Sequence, residues 1–144
     1  MKSKQNETKA FQIAQKMMLE KDAYSQWLGI QILSIRPGFC QLSMQLKHTM
    51  TNGFGIAHGG ICYALADTAL AFAANAHGRH AKSIETSIAH FHPVQLNDQL
   101  FARTEEHQIS HKLGVYTVDI YNQNDQKVAL FKGTDYRSSQ AWTL

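Results

Sequence analysis

Cysteine is nearly missing from this chain: Cys40 and Cys62 are the only two. Two thiols are too few for a disulfide framework and too isolated for a zinc site, so both read as small buried thiols. No apolar run has the length and purity of a membrane span, because Asp67 and small polar residues interrupt the best candidate. The first residues, MKSKQNETKAFQIAQKMM, lack the apolar core of a secretory signal, which leaves the cytoplasm as the expected location. No block of Lys or Arg marks a nucleic-acid surface, and the formal net charge is only +3 with the histidines neutral. Internal repeats, low-complexity tracts and Pro/Gly-rich linkers are absent too, so residues 1–144 read as one domain.

What is present suits a soluble globular protein. Hydrophobic residues make up 44% of the chain and charged residues 17%. That composition can bury a core of its own at this length.

Thr8 to Tyr24 carries helix formers, with Phe11, Ala14, Met17 and Met18 spaced to form one apolar face, so residues 1–25 are expected to be an N-terminal helical segment. From Trp27 to Arg36 and from Phe39 to Lys47 the period changes to two. Cys40, Leu42, Met44 and Leu46 point one way, and Gln41, Ser43, Gln45 and Lys47 the other. Pro37-Gly38 between the two runs signals a hairpin turn.

Asn52–Gly78, NGFGIAHGGICYALADTALAFAANAHG, then reads as a glycine-rich loop and a long helix from about Ala57 or His58 to Ala76. The helix is apolar nearly all round, which predicts burial on every side. Four strands follow, at about Ser83–His92, Leu100–Ile109, Val115–Tyr121 and Lys127–Arg137. Their short polar connections predict a four-stranded antiparallel meander. A curved antiparallel sheet of about six strands round one central helix satisfies this order, an α+β arrangement.

One carboxylate, Asp67, interrupts the apolar helix, and burying an ionised carboxylate without a partner is costly. Half-desolvated beside a pocket, it suits a general base or a nucleophile; bonded to backbone, it is structural. At the start of the helix, His58-Gly59-Gly60 allows either a tight loop-to-helix turn or an oxyanion hole built on the Gly60 N–H. Gly60 and Asp67 stand roughly 10 Å apart along one helix, too far to serve a single reacting carbon. Two antiparallel copies related by a two-fold axis bring Gly60 of one beside Asp67 of the other.

Asn52, His58-Gly59-Gly60 and Leu65-Ala66-Asp67-Thr68-Ala69 together resemble the hotdog-fold acyl-CoA thioesterases, nearest the phenylacetic acid degradation branch. Ser83–Val94 and Gly114–Arg137 are similar to that family's later strands, so the resemblance spans about Trp27 to Arg137. It implies a hotdog fold, hydrolysis of an acyl-CoA to free acid and CoA, and no metal or redox cofactor. Phenylacetyl- or hydroxyphenylacetyl-type substrates come first, with medium-chain acyl-CoA as the rival. The implied catalytic unit is a homodimer, assembled further into a homotetramer.

By the same resemblance Gly60 offers its N–H to the thioester carbonyl, and Asp67 of the neighbouring subunit acts as general base or nucleophile. Asn52 holds the carbonyl or the water, or else caps its loop. His58 and Gly59 shape the loop, while Thr68 and Ser83 are candidates for orienting Asp67. Arg79, His80, Lys112, Lys132 and Arg137 are candidates for the CoA phosphates; each otherwise reads as an ordinary solvated charge. His90-Phe91-His92 has a spacing found in metal sites but no evident third ligand. A non-catalytic acyl-CoA sensor and a hotdog dehydratase, with a strand His beside the helix acid, are the alternative functions.

Overall fold

The structure is a computed structural model that describes residues 2–144, the side chains of residues 2, 3 and 5–7 excepted. Helical segments come first: α1 (Lys2–Phe11), a π-helical stretch (Gln12–Met18), a 3-10 turn (Leu19–Lys21) and α2 (Ala23–Leu28). The expected single helix is thus broken. Asp22 restarts it by accepting the Ser25 N–H at 2.9 Å, as an N-cap carboxylate does. The buried face also differs from expectation: Ala10, Ile13 and Ala14 are fully buried, whereas Phe11 is 45% exposed.

Gly29, at φ +73°, ends α2, so the first strand, β1, begins at Gln31 instead of Trp27 and runs to Arg36. Pro37 and Gly38 turn it into β2 (Phe39–Gln45), with Arg36 opposite Phe39. On β2 the alternation fails at Ser43, which is buried between β1 and β4 in the sheet, but Cys40, Leu42 and Met44 are buried as expected, as is Leu46 beyond the strand. Their common face meets α3 (Gly59–Asn75), the long helix.

After α3 come β3 (Arg79–His90), β4 (Gln99–Ile109), β5 (Leu113–Tyr121) and β6 (Lys127–Ala141). All pairings are antiparallel, and the sheet order is β1-β2-β4-β5-β6-β3. The expected four-strand meander is therefore only three strands long. β3 does not pair with β4: it leaves for the far edge and pairs along β6, while β4 takes its place beside β2. A connection of this length serves a crossing between edges as well as a hairpin, so local chemistry did not separate the two.

The sheet curves round α3, and Leu65, Ala66, Ala69, Leu70 and Ala73 are fully buried between them. Burial on every side does not hold, however. Tyr63, Ala64, Asp67, Thr68 and Ala71 stay partly exposed along one stripe, because the sheet covers only the rest of the helix. β3, the edge strand nearest that stripe, leaves Ile84 62% exposed.

Candidate active site

The glycine loop is built by Asn52. Its N–H donates to the Ile56 carbonyl at 2.7 Å, its carbonyl accepts the Gly55 N–H at 3.0 Å, and its Oδ1 accepts the Phe54 N–H at 2.9 Å. Gly55 supplies the left-handed residue this turn needs, at φ +75°. The side-chain oxygen is thereby occupied, which leaves the Nδ2 amide as the end of Asn52 available to a ligand. The loop is tied down where the Ala57 N–H reaches the Val94 carbonyl at 2.8 Å and the His58 N–H reaches that of Met50 at 2.9 Å.

His58 is the N-cap of α3, and its Nδ1 accepts the Gly60 N–H at 3.0 Å. The Gly60 amide, the donor expected from sequence, is therefore already engaged. The preceding Gly59 N–H has no protein acceptor among the described residues. Both amides belong to the first helical turn, the positive end of the helix dipole.

A cleft of about 360 Å³ opens beside this turn, lined by Asn52, His58, Gly59, Cys62, His90 and His92 among others. A methyl built on Gly59 would stand 3.5 Å from His90 Nε2, so that ring lies against the helix start. Cys62 is no nucleophile here: burial pushes its thiol up to about 11. Among the described residues no group of three His, Cys, Asp or Glu could hold a metal ion.

Two turns along α3, Asp67 is half-buried. Its Oδ1 accepts a long bond from the Ser83 hydroxyl of β3 at 3.4 Å. Desolvation raises its pKa above the usual carboxylate value, and the Ser83 bond partly opposes this. Thr68, the other candidate for orienting it, instead donates to the Ala64 carbonyl of its own helix at 2.8 Å.

A second acid lies beneath the first and was not foreseen. Asp135 of β6 is 1% exposed, and neither carboxyl oxygen has a hydrogen-bond partner among the described residues. It is opposite Ser83 in the β3–β6 ladder. Desolvation first, and then the Asp67 charge, push it up to about 7. Period-two reading of Phe131-Lys132-Gly133-Thr134-Asp135 carried the signal, since Phe131, Gly133 and Asp135 share the buried face.

The cationic candidates divide. Arg79 and Arg137 reach the carbonyls of His111 and Ser110, beside Lys112 in the β4–β5 turn. Burial and the neighbouring Arg79 hold Arg137 below its usual value. Lys132 stands apart, paired with Glu85 at 3.3 Å. His80 stacks on Trp142 with ring centres 4.0 Å apart.

An antiparallel sheet wrapped round a helix that begins in His-Gly-Gly and carries one half-buried acid defines a hotdog thioesterase. Residues 54–129 match the thioesterase superfamily, and the chain belongs to that family of thioester hydrolases. It is 38% identical to the acyl-coenzyme A thioesterase PaaI of Escherichia coli over 83% of this chain and 86% of that protein. The solved structure of that PaaI, from the phenylacetic acid degradation operon, superposes with a TM-score of 0.91 at 36% identity, covering 95% of this chain and 99% of the other. A point mutant of the phenylacetic acid degradation protein PaaI from Thermus thermophilus gives a TM-score of 0.78 at 32% identity, covering 81% of this chain and 100% of that one.

Proposed function

We propose that this protein hydrolyses acyl-CoA thioesters to the free acid and CoA. Aryl-acetyl-CoA of the phenylacetyl or hydroxyphenylacetyl type is the first substrate class and medium-chain acyl-CoA the second. Residues 1–144 act as one hotdog domain in the cytoplasm, with CoA entering only as part of the substrate. The observation that carries the reading is Asp67: a half-buried carboxylate with a raised pKa, on the accessible stripe of an otherwise buried helix. The E. coli relative, named an acyl-coenzyme A thioesterase, supports the substrate class.

The catalytic unit is a homodimer, paired again into a homotetramer. What supports this is that β3 is an edge strand and the stripe of α3 beside it is partly exposed, a surface that a second copy would close. In such a pair Asp67 of one subunit faces the His58-Gly59-Gly60 turn of the other. The thioester carbonyl oxygen sits on that turn, taking the Gly59 N–H and displacing His58 Nδ1 from the Gly60 N–H. The Asn52 amide steadies the carbonyl or the water.

As a base, Asp67 takes a proton from water while the water oxygen bonds to the carbonyl carbon. The tetrahedral oxyanion then collapses, the C–S bond breaks, and the CoA thiolate leaves and takes up a proton. As a nucleophile, an Asp67 carboxylate oxygen bonds to the carbonyl carbon, the C–S bond breaks and the CoA thiolate leaves; water then opens the acyl anhydride, releasing the free acid, restoring the Asp67 carboxylate and supplying the proton the thiolate takes up. The CoA phosphates are met by the group at Arg79, Lys112 and Arg137, with Lys132 and His80 as outlying candidates.

The test is free-thiol release from phenylacetyl-, hydroxyphenylacetyl-, hexanoyl- and palmitoyl-CoA by wild type and Asp67→Ala. A loss of at least about a hundredfold with the oligomer intact supports the base or nucleophile role. Equal rates would remove it. Single turnover in 18O-water separates the two roles, because only the nucleophile acquires label in its carboxyl group.

A further inference from the structure

β6 lies along the face of α3 that carries Asp67. Phe131 packs edge-on against Tyr63 with ring centres 5.3 Å apart, and a methyl built on Gly133 would stand 2.5 Å from Leu70 Cδ2. Asp67 lies one helical turn from each of those contacts, and Asp135 follows Phe131 and Gly133 on the same buried strand face. Its cross-strand partner Ser83 is the residue that bonds Asp67. Ser83 therefore stands next to both acids, bonded to Asp67 and opposite an unbonded Asp135.

Buried carboxyl groups almost always have partners, and one with two bare oxygens cannot stay ionised cheaply. Among the described residues no cation relieves it. The groups facing it are Asp67 from α3, Ser83 from β3 and Tyr116 from β5, with Arg137 two residues along its own strand. The Tyr116 hydroxyl is turned away, donating to Glu106 Oε2 at 2.7 Å, and Glu106 also holds His77. Arg137 is committed to the Ser110 carbonyl.

We propose that Asp135 is a positioning residue of this site: a second carboxyl that shares one negative charge with Asp67 and stays protonated while Asp67 acts. The proposal rests on Asp67 as the reacting carboxylate. A neutral Asp135 lets Asp67 ionise and keeps one charge beneath the acyl carbon. Once Asp135 ionises as well, two negative charges stand against a developing oxyanion, and hydrolysis slows. The protons come off as a pair, in two macroscopic steps.

The test uses protein labelled with 13C at the aspartate carboxyls, the Asp135 signal being the one lost in Asp135→Asn. In wild type that signal titrates near 7, and in Asp67→Asn it moves down by at least about one unit, the reciprocal of the coupling. Titration in the ordinary carboxylate range, or no movement in Asp67→Asn, overturns the proposal. Activity gives a second readout. Wild-type kcat/KM falls roughly tenfold as pH rises through the Asp135 ionisation, whereas Asp135→Asn keeps its acid limb and stays level there. Superimposable profiles overturn the proposal. The NMR titration needs no turnover, so a failed coupling is told apart from a failed role for Asp67, which shows as undiminished hydrolysis by Asp67→Asn.

Discussion

The Gly60 N–H donates to His58 Nδ1 at 3.0 Å, so the helix start of the candidate site is closed by its own N-cap in the free protein. A carbonyl oxygen arriving there exchanges one acceptor for another. In the proposed mechanism His58 has a stabilising part and stays outside the proton transfers. His58→Ala is expected to lose about 1 kcal/mol of stability, the worth of a typical N-cap, read from the urea midpoint. Hydrolysis should fall no more than about tenfold, below the range of a lost general acid or base. A larger fall would put the imidazole into the chemistry itself.

Asp67, as the proposed base or nucleophile, should set the acid limb of activity. Desolvation holds its pKa above the ordinary carboxylate value, so kcat/KM should drop as pH falls through a midpoint higher than that of an exposed aspartate. Ser83 stabilises the ionised form through its 3.4 Å bond, and removing it raises the pKa further. Ser83→Ala is expected to move the acid limb upward, and only a little, since so long a bond is weak. A downward move would mean that Ser83 acts otherwise.

Asp135 should leave its mark on stability. Its carboxyl is pushed from 3.8 to about 7 in the native protein. Between those values the folded chain keeps a proton that the unfolded chain releases, so stability falls as pH rises through this window. The full shift corresponds to about 4 kcal/mol, lost by the time the pH passes the folded-state value. Urea unfolding at pH 5 and pH 8 should therefore give a clearly lower midpoint at pH 8, and Asp135→Asn should remove most of the difference.

Asn75 joins the end of α3 to two other parts of the fold. Its Nδ2 donates to the carbonyls of Ala71 and Ala81 at 2.8 and 2.9 Å, and its Oδ1 accepts from the Ala81 N–H and Trp142 Nε1 at 3.1 and 3.0 Å. Asn75→Ala leaves buried groups unpaired and should cost about 3 kcal/mol, whereas Trp142→Phe, which removes one bond and keeps a smaller aromatic ring, should cost about 1 kcal/mol. Denaturant midpoints check both, and equal losses would show that ring packing, not hydrogen bonding, dominates at Trp142.

Much of the site was legible because it is local. The apolar run from Ile61 to Ala76 contains one acid, and His58-Gly59-Gly60 stands at its start, so the helix, its glycine start and Asp67 could be read together, whereas the capping role of His58 could not. Cys40, Leu42 and Met44 likewise gave β2 its buried face. The place of β3 was not legible: the connection from Phe91 to Asp98 has the same chemistry whether its strands pair or part. The break at Asp22 was masked by helix formers on both sides, since π- and α-helical periods differ too little to tell apart over two turns. Asp135 was missed for another reason. Its inward position follows from period two, but which acid it adjoins depends on how β6 crosses α3.

The placement of β3 at the sheet's far edge also orders events in time. Among the described residues its one neighbour in the sheet is β6, and residues 91–126 separate the two in the chain. While the polypeptide emerges from the ribosome, β1, β2, β4 and β5 can find their partners in turn, but β3 must wait with both edges bare until β6 appears. Such long-range pairing is slow, and an unpaired strand with Ile84 outward is a hazard for aggregation during that interval. Lys82 and Glu85, which flank Ile84 on the waiting strand, are the charges that guard it.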